Sequence, residues 1–108
     1  MGPNSFPTGA PAFKVTNLTA SNNTTAAGSG TDPTLVTKLK ANPSRRGVTM
    51  RCNAASPEAV YFGHNDAVNA TDGVKLEVGE SVPIPTTAAI YFFSAAGTGK
   101  VSCVETFD

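Results

Sequence analysis

From residue 34 onward, apolar and polar residues alternate with a period of two, which is typical of half-buried β-strands. Val48, Met50 and Cys52 fall on one face of such a strand, whereas Thr49 and Arg51 fall on the other. The pattern predicts seven strands, which span residues 34–39, 47–53, 58–63, 73–78, 81–85, 89–94 and 100–107. No segment of ten or more residues has a convincing helical period. We therefore predict an all-β fold, either a small antiparallel β-sandwich or a jelly-roll-like barrel.

Residues 1–33 differ from the rest of the chain because they are rich in Ser, Thr, Asn, Ala, Gly and Pro. A segment of this composition buries too little apolar surface to offset the entropy of ordering. We therefore predict a flexible, extended N-terminal arm at residues 1–33 and a β-sandwich domain at residues 34–108. Four apolar residues in the arm predict contacts that order it on a partner: Phe6, Phe13, Val15 and Leu18. A leader segment without a role is the alternative.

The charges of the chain balance, with eight basic and eight acidic residues. A net charge of zero argues against nucleic acid or an anionic membrane as a partner, and no apolar run is long enough to span a membrane. The basic residues cluster in residues 38–51, whereas acidic residues dominate residues 58–80. Pairing of the two groups within the domain is our first expectation. A pair of complementary surfaces that steers head-to-tail assembly is the alternative.

The sequence contains no arrangement of residues that indicates catalysis, a cofactor site or a metal site. His64 follows a predicted strand and is interpreted as a loop histidine, because nothing nearby in the sequence supplies an acid–base partner. The run from Gly97 to Lys100 lacks the spacing of a phosphate-binding loop and is interpreted as a hairpin turn. Cys52 and Cys103 are in phase with the apolar residues of their strands. They are predicted to be buried free thiols, with a disulfide as the alternative.

Four segments carry a family resemblance. They are Ala41-Asn42-Pro43-Ser44-Arg45-Arg46-Gly47-Val48-Thr49-Met50, Ala59-Val60-Tyr61-Phe62-Gly63, Gly73-Val74-Lys75-Leu76 with Val78-Gly79-Glu80-Ser81, and Thr87-Ala88-Ala89-Ile90-Tyr91. These segments resemble small structural proteins of tailed bacteriophages, among them capsid decoration (cement) proteins, head fibres and tail accessory proteins. The resemblance extends from Ala41 to Phe107 and involves structural motifs, so it carries over no catalytic residue.

The resemblance implies a β-sandwich on the virion surface that binds the major capsid protein, stabilises the shell and forms a homo-oligomer, with a trimer as the first expectation. In this hypothesis the arm contacts the capsid or a neighbouring copy through the four apolar residues named above. Arg45 and Arg46 are expected to contact carboxylates on the shell. The alternative is a tail or head-fibre module that binds a host surface glycan through residues near Tyr61, His64 and Tyr91.

Overall fold

The computed structural model of the protein describes residues 13–22 and 37–107, and these residues form eight β-strands. In chain order the strands are β1 (Phe13–Thr19), β2 (Thr37–Leu39), β3 (Arg45–Cys52), β4 (Val60–Gly63), β5 (Val74–Leu76), β6 (Ser81–Ile84), β7 (Ile90–Phe93) and β8 (Lys100–Phe107). The predicted all-β fold is confirmed, and each of the seven predicted strands overlaps an observed one. The described part of the chain has no helix that could cross a membrane.

The strands form two antiparallel sheets of four strands each. Sheet I has the order β1-β8-β3-β6 and sheet II has the order β2-β7-β4-β5. The pairing is nested, because β1 pairs with β8, β2 with β7, β3 with β6 and β4 with β5. Thr37 at the start of β2 donates a hydrogen bond from Oγ1 to the carbonyl of Thr19, 2.7 Å away, at the end of β1. One edge of the sandwich is therefore formed by β1 and β2, and the other by β5 and β6.

The core lies between the two sheets and is filled by the side chains at alternate strand positions that point inward. Its buried members are Ala20, Leu39, Val48, Met50, Cys52, Val60, Phe62, Leu76, Ile90, Phe92, Val101 and Cys103. Phe92 and Met50 are the two largest fully buried side chains in the described residues. Burial of such side chains is the main favourable contribution to folding of a domain this small.

Residues 13–22 correct the predicted boundary between arm and domain. All seven residues of β1 pair with β8, from Phe13 opposite Thr106 to Thr19 opposite Lys100. Beyond the strand, Ala20 is fully buried and donates a backbone hydrogen bond to the carbonyl of Gly99 at 2.8 Å. The prediction that these residues belong to a flexible arm is therefore wrong. The other parts of the predicted arm, residues 1–12 and 23–33, lie outside the described residues.

Candidate functional site

The outer face of sheet I carries two exposed apolar residues of β1, and both are contact residues predicted from the sequence. Phe13 is 57% exposed and Val15 is 52% exposed. Val15 lies opposite Val104 of β8, which lies opposite Thr49 of β3, which in turn lies opposite Pro83 of β6. A row of uncharged side chains therefore crosses all four strands. We define the sheet I face by this row and its neighbours, Phe13, Val15, Thr49, Pro83, Val104 and Thr106.

The sheet I face ends at a row of polar residues. Asn17 of β1 lies opposite Ser102 of β8, and the Ser102 hydroxyl donates a hydrogen bond to Asn17 Oδ1 at 2.8 Å. Ser102 lies opposite Arg51 of β3, which is exposed. The apolar part of the face is therefore bounded by polar groups on this side, as in protein interfaces that have an apolar centre and a polar rim.

Leu18 does not belong to this face. It points to the opposite side of β1 from Val15, is half-buried and packs against the core between the sheets. The predicted contact of Leu18 with a partner therefore cannot form on the sheet I face, and Leu18 instead lines the cleft beside β1. Phe6, the remaining apolar contact residue predicted in the arm, lies outside the described residues.

Arg45 is buried as well, which makes the prediction of a capsid contact at this residue wrong. Only 2% of Arg45 is exposed, and its Nη1 lies 2.9 Å from Oε2 of Glu105, which is also buried. Arg45 donates further hydrogen bonds to three backbone carbonyls, those of Lys40, Thr86 and Ala88. The guanidinium therefore has internal acceptors and ties the start of β3 to β8 and to the loop before β7.

Arg46, the second predicted basic contact, is exposed. The pairing of β3 with β8 shifts register between Arg45 and Gly47, so the two arginines sit at a β-bulge. A bulge adds one residue to one strand and reorients the side chains around it. Regular alternation back from Val48 would place Arg46 inside and Arg45 outside, and the bulge reverses this. Arg46 therefore remains a candidate contact residue.

The two cysteines are buried free thiols, as predicted from their phase with the apolar residues. Met50, not Cys52, lies directly opposite Cys103 in the pairing of β3 with β8. Burial raises the pKa of the Cys103 thiol to about 12, and the nearby Glu105 carboxylate acts in the same direction. A thiol that stays protonated at neutral pH is a poor nucleophile. Cys103 is therefore part of the core and not a reactive group.

The interpretation of Gly97 to Lys100 as a hairpin turn is wrong, because this segment connects β7 of sheet II to β8 of sheet I and the two strands do not pair. The loop from Ala95 to Gly99 instead binds a carboxylate of the protein itself. Glu58 accepts hydrogen bonds from the backbone N–H groups of Ala96 and Thr98, each with a shortest distance of 3.0 Å, and from the Thr98 hydroxyl at 2.8 Å. Partial desolvation tends to raise the pKa of Glu58, but these hydrogen bonds together lower it to about 2. Gly97 has a φ of +72°, which supports the turn that points its N–H groups at the carboxylate.

No catalytic arrangement is seen among residues 13–22 and 37–107. His64 is exposed, and its Nε2 lies 3.3 Å from the side-chain amide of the neighbouring Asn65. This contact supplies neither an acid–base partner nor a nucleophile. The same residues contain no group of three or more His, Cys, Asp or Glu side chains that could hold a metal ion.

The outer face of sheet II carries a short row of aromatic residues. Tyr61 of β4 lies opposite Phe93 of β7, with ring centroids 5.8 Å apart and ring planes tilted by 58°. Tyr91 lies two residues before Phe93 on the same face, and the Lys38 ammonium is 5.8 Å from the Tyr91 ring centroid. All three aromatic residues are partly buried, unlike the exposed Phe13 and Val15 of β1. We call Tyr61, Tyr91 and Phe93 the sheet II aromatic row.

Comparisons with protein-family models, with curated proteins and with solved structures find no match for this chain.

Proposed function

We propose that this protein is a non-enzymatic structural protein of a phage virion that binds the outer surface of the capsid shell and stabilises it. The observation that carries the proposal is the sheet I face, where Phe13 and Val15 are each more than half exposed on an uncharged surface that crosses four strands. Large apolar side chains that are exposed together on an uncharged surface are typical of a protein–protein contact. The partner in this proposal is the major capsid protein, and the site of action is the virion surface.

The sheet I face is suited to binding a partner without a change in structure. Its side chains stand on paired strands, so they are held in place before binding and lose little conformational entropy when a partner covers them. Charged residues are depleted from the centres of protein interfaces because their desolvation is costly. The face meets this condition, since its six residues are uncharged.

The nested strand pairing also supports the proposal. We interpret it as jelly-roll connectivity, an architecture that recurs in viral capsid and lectin domains. This support is an analogy of fold, since one fold can carry many functions. The resemblance of residues 41–107 to phage structural proteins points in the same direction.

Co-sedimentation of the purified protein with undecorated shells of its source phage tests the proposal. We expect saturable binding and shells that withstand a higher temperature. The variant Phe13→Ser/Val15→Ser should bind at least about tenfold more weakly, which corresponds to about 1.4 kcal/mol. Val74→Ser is the matched control, because Val74 is 58% exposed but lies on sheet II. Equal occupancy by all three proteins, or no binding of the wild type, would contradict the proposal.

The sheet II aromatic row favours a second candidate, a tail or head-fibre module that binds a host surface glycan. Aromatic rings can bind a sugar face, and Lys38 beside Tyr91 could add a contact with an acidic sugar. A glycan array probed with wild type and with Tyr91→Ala tests this candidate. Hits that disappear in Tyr91→Ala would support it, and an array without hits would count against it.

A further inference from the structure

A cleft opens at the edge of the sandwich where β1 and β2 lie side by side. It has a volume of about 450 Å³ and combines an apolar interior, which includes Leu18, Leu39 and Ala41, with three lysines. The lysines are Lys14, Lys38 and Lys40, and the ammonium of Lys38 also lies 5.8 Å from the centroid of the Tyr91 ring. Glu105 also lines the cleft, but its charge is compensated by Arg45 at 2.9 Å. The cleft therefore presents positive charge around a partly apolar floor.

The opposite edge of the sandwich carries negative charge. Strands β5 and β6 are joined by a turn at residues 77–80, which contains Glu77, Val78 and Glu80. Val78 is 46% exposed and stands between the two glutamates in sequence. Of the acidic residues in the described part of the chain, Glu58 and Glu105 bind groups about forty or more positions away, and the other four lie between residues 66 and 80.

The turn is a rigid projection. Its backbone is fixed to Cys52 by two hydrogen bonds, from Gly79 N–H to the Cys52 carbonyl at 2.8 Å and from Cys52 N–H to the Glu80 carbonyl at 2.9 Å. Glu80 Oε1 also accepts a hydrogen bond from the Glu77 N–H at 2.9 Å. Gly79 adopts a φ of +85°, which lets the chain reverse here. Val78 is therefore presented in a defined position before any contact is made.

The lysines of the cleft and the glutamates of the turn form no ion pair with one another in the described part of the chain. Ion pairs within the described residues join Arg45 to Glu105 and Lys75 to Glu77. Neither joins the basic segment at residues 38–51 to the acidic segment at residues 58–80. The Lys75–Glu77 pair is exposed at both ends, so it contributes little and can exchange partners. Both charged surfaces are thus available for a contact between molecules.

We propose that copies of this chain associate head to tail, with the acidic turn at residues 77–80 of one copy inserted into the basic cleft between β1 and β2 of the next. Val78 packs on the apolar floor of the cleft, and Glu77 and Glu80 face its lysines. The two surfaces lie at opposite edges of the sandwich, so the contact is heterologous. When the contact repeats from copy to copy, the rotation between neighbouring copies decides the assembly. A rotation that closes gives a ring, and one that does not gives an open chain.

The occupant is a second copy of this chain because the molecule itself carries the surface that complements the cleft in charge, with an apolar residue between the two acids. Opposite charges on the two surfaces also steer the approach of the copies and disfavour cleft-to-cleft contact. The association leaves the sheet I face uncovered. It is therefore independent of the capsid proposal, and either idea can fail without the other.

Sedimentation velocity of the full chain at low and high salt tests the association. We expect wild type to form assemblies larger than a monomer at low salt, which weaken as salt screens the charges. Lys38→Glu/Lys40→Glu and Glu77→Lys/Glu80→Gln should each weaken association at least about tenfold. The Glu80→Gln change keeps an acceptor for the Glu77 N–H. Combining all four substitutions in one chain should restore association, whereas Lys100→Glu, an exposed charge reversal outside the cleft, should have no effect.

Val78→Ser is a second test that alters no charge. It should weaken association at least about tenfold, whereas Val74→Ser, at a similarly exposed position in β5, should not. Circular dichroism checks that each variant remains folded. A wild type that stays monomeric at low salt would overturn the proposal. If neither the charge reversals nor Val78→Ser changes the size of the assemblies, the proposal is also overturned. The copies would then meet through another contact, such as the sheet I face.

Discussion

Arg45 Nη1 lies 2.9 Å from Glu105 Oε2, so a buried ion pair joins two residues that are sixty positions apart in the chain. The pair connects the first residue of β3 to β8, next to the bulge in β3. Removing one partner of such a pair leaves an uncompensated charge in the interior. The ion pair explains why Arg45, predicted from the sequence to be a surface contact, is buried in the folded protein.

We predict that Glu105→Gln lowers the free energy of unfolding by about 3–5 kcal/mol, because it leaves the Arg45 charge buried without a partner. Arg45→Met should lower the free energy of unfolding further, because it also removes the hydrogen-bond donor of three backbone carbonyls. Urea unfolding measures both effects. Arg51→Met, at an exposed arginine of the same strand, should change the free energy by less than about 0.5 kcal/mol. Equal small losses in all three variants would contradict this account.

The low pKa of Glu58 predicts that the folded protein loses stability in acid. Its pKa is about 2 in the folded protein against 4.5 as the ordinary value, so the carboxylate contributes stability above pH 4.5 that is lost as the pH falls towards 2. We expect a contribution of roughly 1–2 kcal/mol, because solvent screens a partly exposed group. Unfolding measured from pH 6 to pH 2 should show a smaller acid loss for Glu58→Gln than for wild type.

An NMR titration of the Glu58 side chain gives the pKa directly. Thr98→Val, which removes the hydroxyl donor 2.8 Å away but keeps the backbone donors, should raise the pKa part of the way towards its ordinary value. A wild-type pKa close to 4.5 would show that the turn does not hold the carboxylate in solution.

Truncation distinguishes a strand at residues 13–19 from a flexible arm. A chain that lacks residues 1–22 loses β1, uncovers the edge of β8 and removes Leu18 and Ala20 from the core. We expect it to be less stable than a chain that lacks only residues 1–12 by about 3 kcal/mol or more. Thermal unfolding of the two chains measures the difference. Equal midpoints would mean that β1 contributes nothing to the domain.

Gly99 should not tolerate a side chain. A Cβ added there would lie 2.6 Å from Val60 Cγ2 and 2.9 Å from Ser94 Cβ, and both neighbours are buried. Gly99→Ala is therefore expected to lower the free energy of unfolding by about 1–3 kcal/mol, because the added methyl group overpacks the core. Gly79→Asn is the matched comparison, because nothing lies within 4 Å of that position and Asn tolerates its positive φ. Urea unfolding should rank Gly99→Ala as clearly the less stable of the two.

The alternation of apolar and polar residues was enough to predict the all-β class and seven of the eight strands. In β3 the apolar residues Val48, Met50 and Cys52 point into the core and the polar residues between them point outward, so local hydrophobicity and burial agree. The phase of Cys52 and Cys103 likewise predicted two buried thiols. These features depend on the pleat of a single strand and on the removal of its apolar face from water, and both can be inferred from neighbouring residues.

The tertiary structure decided the features that depend on which strands meet. In β1 the exposed Phe13 and Val15 point outward while the inward face includes Thr16 and Leu18, so the hydrophobic pattern concealed a strand that is held by its pairing with β8. The bulge in β3 exchanged the expected orientations of Arg45 and Arg46. Glu58 meets Thr98 across forty positions of the chain. Such contacts follow from the free energy of the whole packed domain, which no local window of sequence contains.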